Sequence, residues 1–128
     1  MNVLAISASP TMEKSNTSMI LDPFLEGARD AGADVEVLYT KNLDIKPCLG
    51  CLYCWVKVPG KCCRKDDMEG VLKKMDQADV LVAATPLYVD GMAAPLKNVF
   101  DRSVPDAVPY FEIFDGHCRH PLHNKKAS

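Results

Sequence analysis

No apolar run in this chain of 128 residues approaches the ~20 needed to span a membrane as a helix. The stretch from Met1 to Ile6 has neither the basic flank nor the apolar length of a secretory leader. A cytoplasmic protein is the expectation, and there the six cysteines serve as thiols or metal ligands rather than disulfides. Clustered positive charge is absent too. Apart from Lys125-Lys126 there is no basic block, and the net charge is −2. Nucleic acid and anionic membrane are therefore not expected as main partners. The glycine patterns of a Rossmann dinucleotide site and of a P-loop are both missing. No Ser-His-Asp arrangement or carboxylate pair marks a hydrolase, and no internal repeat is visible.

What remains is ordinary globular material, 48% hydrophobic and 25% charged, too apolar for extended disorder. The length makes one domain, 1–128, with room for a core. Its most informative feature is a run of cysteines. Cys48, Cys51 and Cys54 recur at every third position, and Cys62 follows after seven residues, with Cys63 beside it. Thiolates spaced this way converge on one centre only if the backbone curls around it, as a cubane iron–sulfur cluster requires. Zinc usually takes two separated pairs of cysteines, so the spacing favours iron and points to electron transfer. Tyr53 and Trp55 stand beside these ligands as candidates to shield a cluster. A second group, His117, Cys118, His120 and His123, has a zinc-like spacing but no frame, and reads better as a polar surface segment.

Residues 2–7 read as a strand buried on both faces. A polar loop follows, then a helix to about Ala31 that sets Ile20, Leu21, Phe24, Leu25 and Ala28 on one face. Gly32 stands at the C-cap position, and Pro23 predicts a kink or a restart of the helix. Residues 35–39 form a second strand, and the cysteine loop occupies roughly 44–65. Asp66 and Asp67 then open a helix at its positive end, with Met68, Val71, Leu72, Met75 and Ala78 as its core stripe. Residues 80–84 are a third buried strand, and a helix over 94–102 turns Leu96, Val99 and Phe100 inward. This β-α alternation predicts a parallel α/β sheet with right-handed crossovers; in its flavodoxin-like version the strands run 2-1-3, with ligand at the switch point between strands 1 and 3.

The loops leaving those two strands carry matching chemistry. Ser7, Ser9, Thr11, Ser15, Asn16 and Thr17 surround a helix start, an uncharged cradle suited to phosphate. A plain helix cap at Asn16 or Thr17 is the competing reading. Thr85, Pro86, Leu87 and Tyr88 form a proline-stiffened turn suited to a flat ring, and Gly91 would allow close backbone approach.

Taken together, these pieces resemble the flavodoxin-fold NAD(P)H-dependent FMN reductase superfamily, and within it the iron–sulfur flavoproteins. The pieces that carry the likeness are Ile6-Ser-Ala-Ser-Pro10 with Ser15-Asn-Thr17, Pro47-Cys-Leu-Gly-Cys51, Gly60-Lys-Cys62 with Lys65-Asp-Asp-Met68, and Thr85-Pro-Leu-Tyr88. The match runs in consistent order over 1–103, leaving 104–128 as an extended C-terminal segment. The resemblance implies an FMN phosphate held by Ser9, Thr11, Ser15, Asn16 and Thr17. It places Pro86, Leu87, Tyr88, Val89, Gly91 and Met92 along the isoalloxazine ring. It also implies a [4Fe-4S] cluster on Cys48, Cys51, Cys54 and Cys62, choosing Cys62 over Cys63 because the family's cysteine stands three residues before the Lys65-Asp-Asp motif.

The implied function is that of an FMN-dependent oxidoreductase, an electron-transfer flavoprotein coupling one-electron carriers to flavin. Its partner would be a small redox carrier, a ferredoxin-like protein or NAD(P)H. A cluster-free NAD(P)H-dependent FMN or quinone reductase is one alternative, its cysteines being redox thiols or a zinc site. A non-catalytic remnant is another. Two departures stand out. Thr11 replaces an arginine often found there, removing a charged partner for the phosphate. Family members also carry two further strands and helices, and the segment from Asp115 to Pro121 resembles the approach to the fourth strand. The expectation is a shortened member or a half-domain completed in a homo-oligomer, with strand 80–84 left as an exposed apolar edge.

Overall fold

The computed structural model describes residues 1–123, so the Lys125-Lys126 pair lies outside the described residues. Strand β1 (Asn2–Ser7) is the centre of a parallel sheet, flanked by β2 (Asp34–Tyr39) and β3 (Val80–Ala84) in the order 2-1-3. The two registers set Val3 between Val35 and Val80, and Ser7 between Tyr39 and Ala84. The period of two along β1 divides the core into two halves. Leu4 and Ile6 point to one side, with Met68, Val71, Leu96 and Val99. Val3 and Ala5 point to the other, with Leu21, Leu25 and Ala84. A strand with apolar side chains on both faces thus forces helices onto both, giving three layers.

Helix α1 (Asn16–Asp30) covers one face. It is capped by Ser15 rather than by Asn16 or Thr17. The Ser15 side chain accepts from the Ser18 amide at 3.0 Å, while the Ser18 hydroxyl accepts from the Ser15 amide at 3.1 Å. Pro23 sits on the exposed side, and the helix neither stops nor restarts there. The predicted apolar face is too broad. Leu21 and Leu25 are buried, but Ile20 is 79% and Phe24 56% exposed, because the sheet ends at β3 and among the described residues nothing packs against that flank. Gly32, with φ of +84°, closes the helix as expected.

On the opposite face lie α3 (Met68–Gln77) and α4 (Ala94–Asp101), separated in sequence from β2 by the cysteine loop and its short helix α2 (Tyr53–Val56). Met68 and Val71 of α3 and Leu96 and Val99 of α4 are buried, with Leu72, Met75, Ala78 and Phe100 partly so. Strand β3 is the exposed apolar edge expected of a shortened sheet rather than a strand buried on both faces. Val80 and Leu81 are 38% and 40% exposed, as befits a strand with no described neighbour on its outer edge.

After β3 the chain turns through a small hairpin, β4 (Leu87–Tyr88) and β5 (Gly91–Met92). The positive φ angles there belong to Val89 (+48°) and Asp90 (+59°), the pattern of a hairpin turn of primed type. Gly91 has neither a positive φ nor a close neighbour, so the turn does not require glycine at that position. A 3₁₀ turn (Val104–Asp106) follows α4, and then β6 (Glu112–Phe114) and β7 (His117–Arg119) pair antiparallel. The segment from Asp115 to Pro121 therefore belongs to a hairpin separate from the parallel sheet.

Candidate functional site

The cysteine loop is anchored at both ends by one residue of α4's C-terminus. Arg102 donates from Nη1 and Nη2 to the Asp66 carboxylate at 2.6 and 2.9 Å, and from Nη1 to the Lys46 carbonyl at 2.7 Å. Asp66 in turn accepts from the amides of Lys46 and Met68, at 3.1 and 3.2 Å. Asp67 accepts from the Asp44 amide at 2.7 Å. The acidic pair read as favouring the helix dipole is thus chiefly a tie across the base of the loop. Burial alone would raise the Asp66 carboxyl, but Arg102 and the two amides outweigh it and hold the group below its ordinary value. The partner of Asp66 could not be found from local sequence, since it lies 36 positions away.

Within the loop, Gly50 (φ +64°) and Leu52 (φ +51°) turn the chain through the left-handed region, which lets it curl. The Gly50 amide donates to the Cys48 sulfur at 3.4 Å. Cys48, Cys51, Cys54 and Cys62 all line one cavity of about 90 Å³, together with Tyr53, Cys63, Arg64, Arg102 and Pro105. Cys54 is buried, Cys62 half-buried, and Cys48, Cys51 and Cys63 exposed. The Cys51 and Cys63 sulfurs lie 3.7 Å apart. The Tyr53 amide foremost, and Cys63 after it, pull the Cys51 thiol below its ordinary value, while Cys51 pushes the Cys63 thiol up. Burial raises the Cys54 thiol.

The chemistry of the donor set suits a sulfur-ligated group: four thiols line one cavity, an amide is directed at a sulfur, and cationic side chains stand in the wall. Among the described residues, however, no three His, Cys, Asp or Glu side chains are placed to hold a metal ion. Trp55 does not shield the cavity. Its Nε1 donates to the carbonyls of Val104 (3.2 Å) and Ala107 (2.8 Å), pinning α2 to the C-terminal segment. His120, from the second candidate cluster, is held by the Val108 carbonyl at 2.9 Å and stacks on Phe111. His117 and Cys118 stay exposed on β7.

The switch-point loops are only partly brought together. Asn16 and Thr17 share an open cleft of about 500 Å³ with Pro86, Thr85, Ile20 and Phe24. Ser9 is buried, its hydroxyl 3.4 Å from that of the exposed Thr11. The Ser15 hydroxyl donates to the Met12 carbonyl at 2.8 Å besides capping α1. Leu87, Tyr88, Val89 and Met92 are exposed on the hairpin and do not line the cleft, and neither does the half-buried Gly91. Thr85, read from the sequence only as part of the proline-stiffened turn, fastens that hairpin: its Oγ1 accepts from the Ala93 amide and donates to the Pro86 carbonyl, both at 2.9 Å.

A three-stranded parallel sheet of order 2-1-3, with polar loops at its switch point, defines a flavodoxin-like α/β protein. The family model for NADPH-dependent FMN reductase matches residues 1–127, and the chain belongs to that family. It is 39% identical over 103 residues to an iron–sulfur flavoprotein of Archaeoglobus fulgidus, covering 80% of this chain and 49% of the relative. It is 37% identical over 105 residues to one of Methanocaldococcus jannaschii, covering 82% and 53%. Among solved structures, an NAD(P)H:quinone oxidoreductase from Methanothermobacter marburgensis superposes with a TM-score of 0.68 at 25% identity, over 81% of this chain and 53% of that one. The chain spans about half the length of the curated relatives it matches. Among the described residues no helix is long and apolar enough to cross a membrane.

Proposed function

We propose that this chain is part of an FMN-dependent oxidoreductase that carries a [4Fe-4S] cluster on Cys48, Cys51, Cys54 and Cys62. The observation that carries the reading is the convergence of those four thiols on one cavity in a loop tied at both ends. The family and the names of the iron–sulfur relatives support it. When bound, a cluster passes electrons singly while FMN takes up one or two, so the pair connects one-electron carriers to two-electron chemistry.

The protein's own groups have distinct tasks in this scheme. Helix geometry leaves the Asn16 and Thr17 amides without intrahelical partners, and with the hydroxyls of Ser9, Thr11 and Thr17 they would hold the FMN phosphate. The Ser15 hydroxyl proton is engaged by Met12, so Ser15 acts mainly by fixing that helix start. Of the hairpin residues only Pro86 lines the switch-point cleft, and Leu87, Tyr88, Val89, Gly91 and Met92 would have to meet the ring from the exposed hairpin. Arg102 and Asp66 keep the cysteine loop closed, and the buried Cys54 excludes water from its inner side. A ferredoxin-like protein or NAD(P)H would deliver the electrons, in the cytoplasm, to a homo-oligomer.

Anaerobic purification followed by visible spectroscopy and analysis of iron, acid-labile sulfide and FMN tests the proposal. Iron and sulfide in equal amounts, with bound flavin, are expected. A folded, colourless and iron-free protein overturns the cluster. The 3.7 Å approach of Cys51 and Cys63 favours a second reading, a cluster-free NAD(P)H-dependent reductase with a redox thiol pair. Undiminished NADPH-dependent flavin reduction by Cys48→Ser would select it, because Cys48 lies outside that pair.

A further inference from the structure

Two arginines that line the cysteine cavity each carry a buried donor with no partner. The Nε–H groups of Arg64 and Arg102 are shielded from solvent and make no hydrogen bond. Leaving such a group unmatched is costly, so it asks for an acceptor. Arg102 cannot turn to find one elsewhere. Its side chain is 1% exposed, and its Nη atoms are fixed by Asp66 and Lys46. Both arginines line the cavity shared by Cys48, Cys51, Cys54 and Cys62.

The same two arginines and Cys62 also border an adjoining cleft of about 320 Å³. An anion bound there is the weaker explanation. Its wall carries Glu69, Asp76 and Asp106 beside Lys61 and Lys73, and Lys73 is paired with Glu69. The cysteine cavity, by contrast, presents no carboxylate but Asp101 beside its thiols. Sulfur is the acceptor chemistry the four cysteines would gather.

We infer that Arg64 and Arg102 are positioning residues for the group held by the four cysteines, their Nε–H groups donating to its sulfur atoms and raising its reduction potential. This rests on the cluster reading above. Donors and positive charge stabilise the form carrying the extra electron, which moves the potential upward. Arg102 also ties the loop, so substitutions there mix folding with tuning. Arg64 carries the test.

The experiment uses the full chain, reconstituted anaerobically with ferrous iron and sulfide and titrated with dithionite as electron donor. The reduced species is followed by electron paramagnetic resonance, and iron is assayed in every sample. Arg64→Gln is expected to bind as much iron as the wild type. Its one-electron reduction should be about tenfold less favourable, a downward shift of about 59 mV. Arg64→Lys, which keeps the charge, should recover part of that shift. A purely structural role would alter iron content or melting temperature without moving the potential at equal loading. Equal iron and an unchanged potential in Arg64→Gln overturn this inference and leave the cluster reading intact. A wild-type protein that takes up no iron overturns both.

Discussion

Arg102 grips Asp66 in a two-point ion pair, at 2.6 and 2.9 Å, with side chains only 1% and 0% exposed. The pair joins the end of α4 to the far end of the cysteine loop, and the Arg102 bond to Lys46 closes the near end. Through Arg102 the end of α4 thus holds both ends of the candidate centre.

Removing one member should therefore be far worse than replacing both. Asp66→Asn or Arg102→Met alone leaves a buried charge uncompensated and is expected to cost about 3–5 kcal/mol. An apolar double replacement should cost less. Urea unfolding of the three variants checks this, and an Asp66→Asn protein as stable as wild type would contradict it.

Ser15→Ala removes the cap of α1 while leaving Ser18 in place. A loss of about 1 kcal/mol is expected in ligand-free protein. Chemical denaturation without added FMN separates this structural role from any contact with phosphate. No change would mean the capping box contributes nothing.

Val89 is a β-branched residue at φ +48°, wholly exposed, in the hairpin after β3. The left-handed conformation penalises its Cβ, and glycine escapes that penalty. Val89→Gly should raise stability by about 1 kcal/mol. If thermal unfolding moves downward instead, the strain argument fails for this turn.

Asp106 has its carboxyl pushed up to about 6, by burial first and by Asp76 second, against a weaker opposing effect of His123. Folding favours its protonated form, so this contribution is complete below the unfolded value near 3.8 and is lost as pH rises through about 6. Asp106→Asn should gain about 1 kcal/mol at pH 7.5, allowing for screening of a half-exposed group, and almost nothing at pH 4. Denaturant curves at the two pH values give the comparison. Equal gains at both would contradict the assignment.

Period and spacing carried much of the fold. The apolar run Val3–Ile6 read as a strand covered on both faces, β-α alternation indicated a parallel sheet, and the flavodoxin-like reading supplied the 2-1-3 order that the sheet has. Gly32 and the Met68–Val71–Leu72 stripe were legible for the same reason: each depends on neighbours within a turn or two. The spacing of Cys48, Cys51, Cys54 and Cys62 likewise indicated a common centre, and they line one cavity.

Tertiary structure decided the rest. Which residues of α1 are buried depends on where the sheet ends, so Ile20 and Phe24 read as core and stand exposed. The neighbour of Cys51 is Cys63, brought there by the curl at Gly50 and Leu52. Asp66 finds its charge partner 36 positions away, a pairing no local pattern encodes. Short-range periodicity is written in the chain because it acts over a few bonds. Long-range closure is a property of packing, and it takes the folded core to bring Arg102 to both ends of the loop.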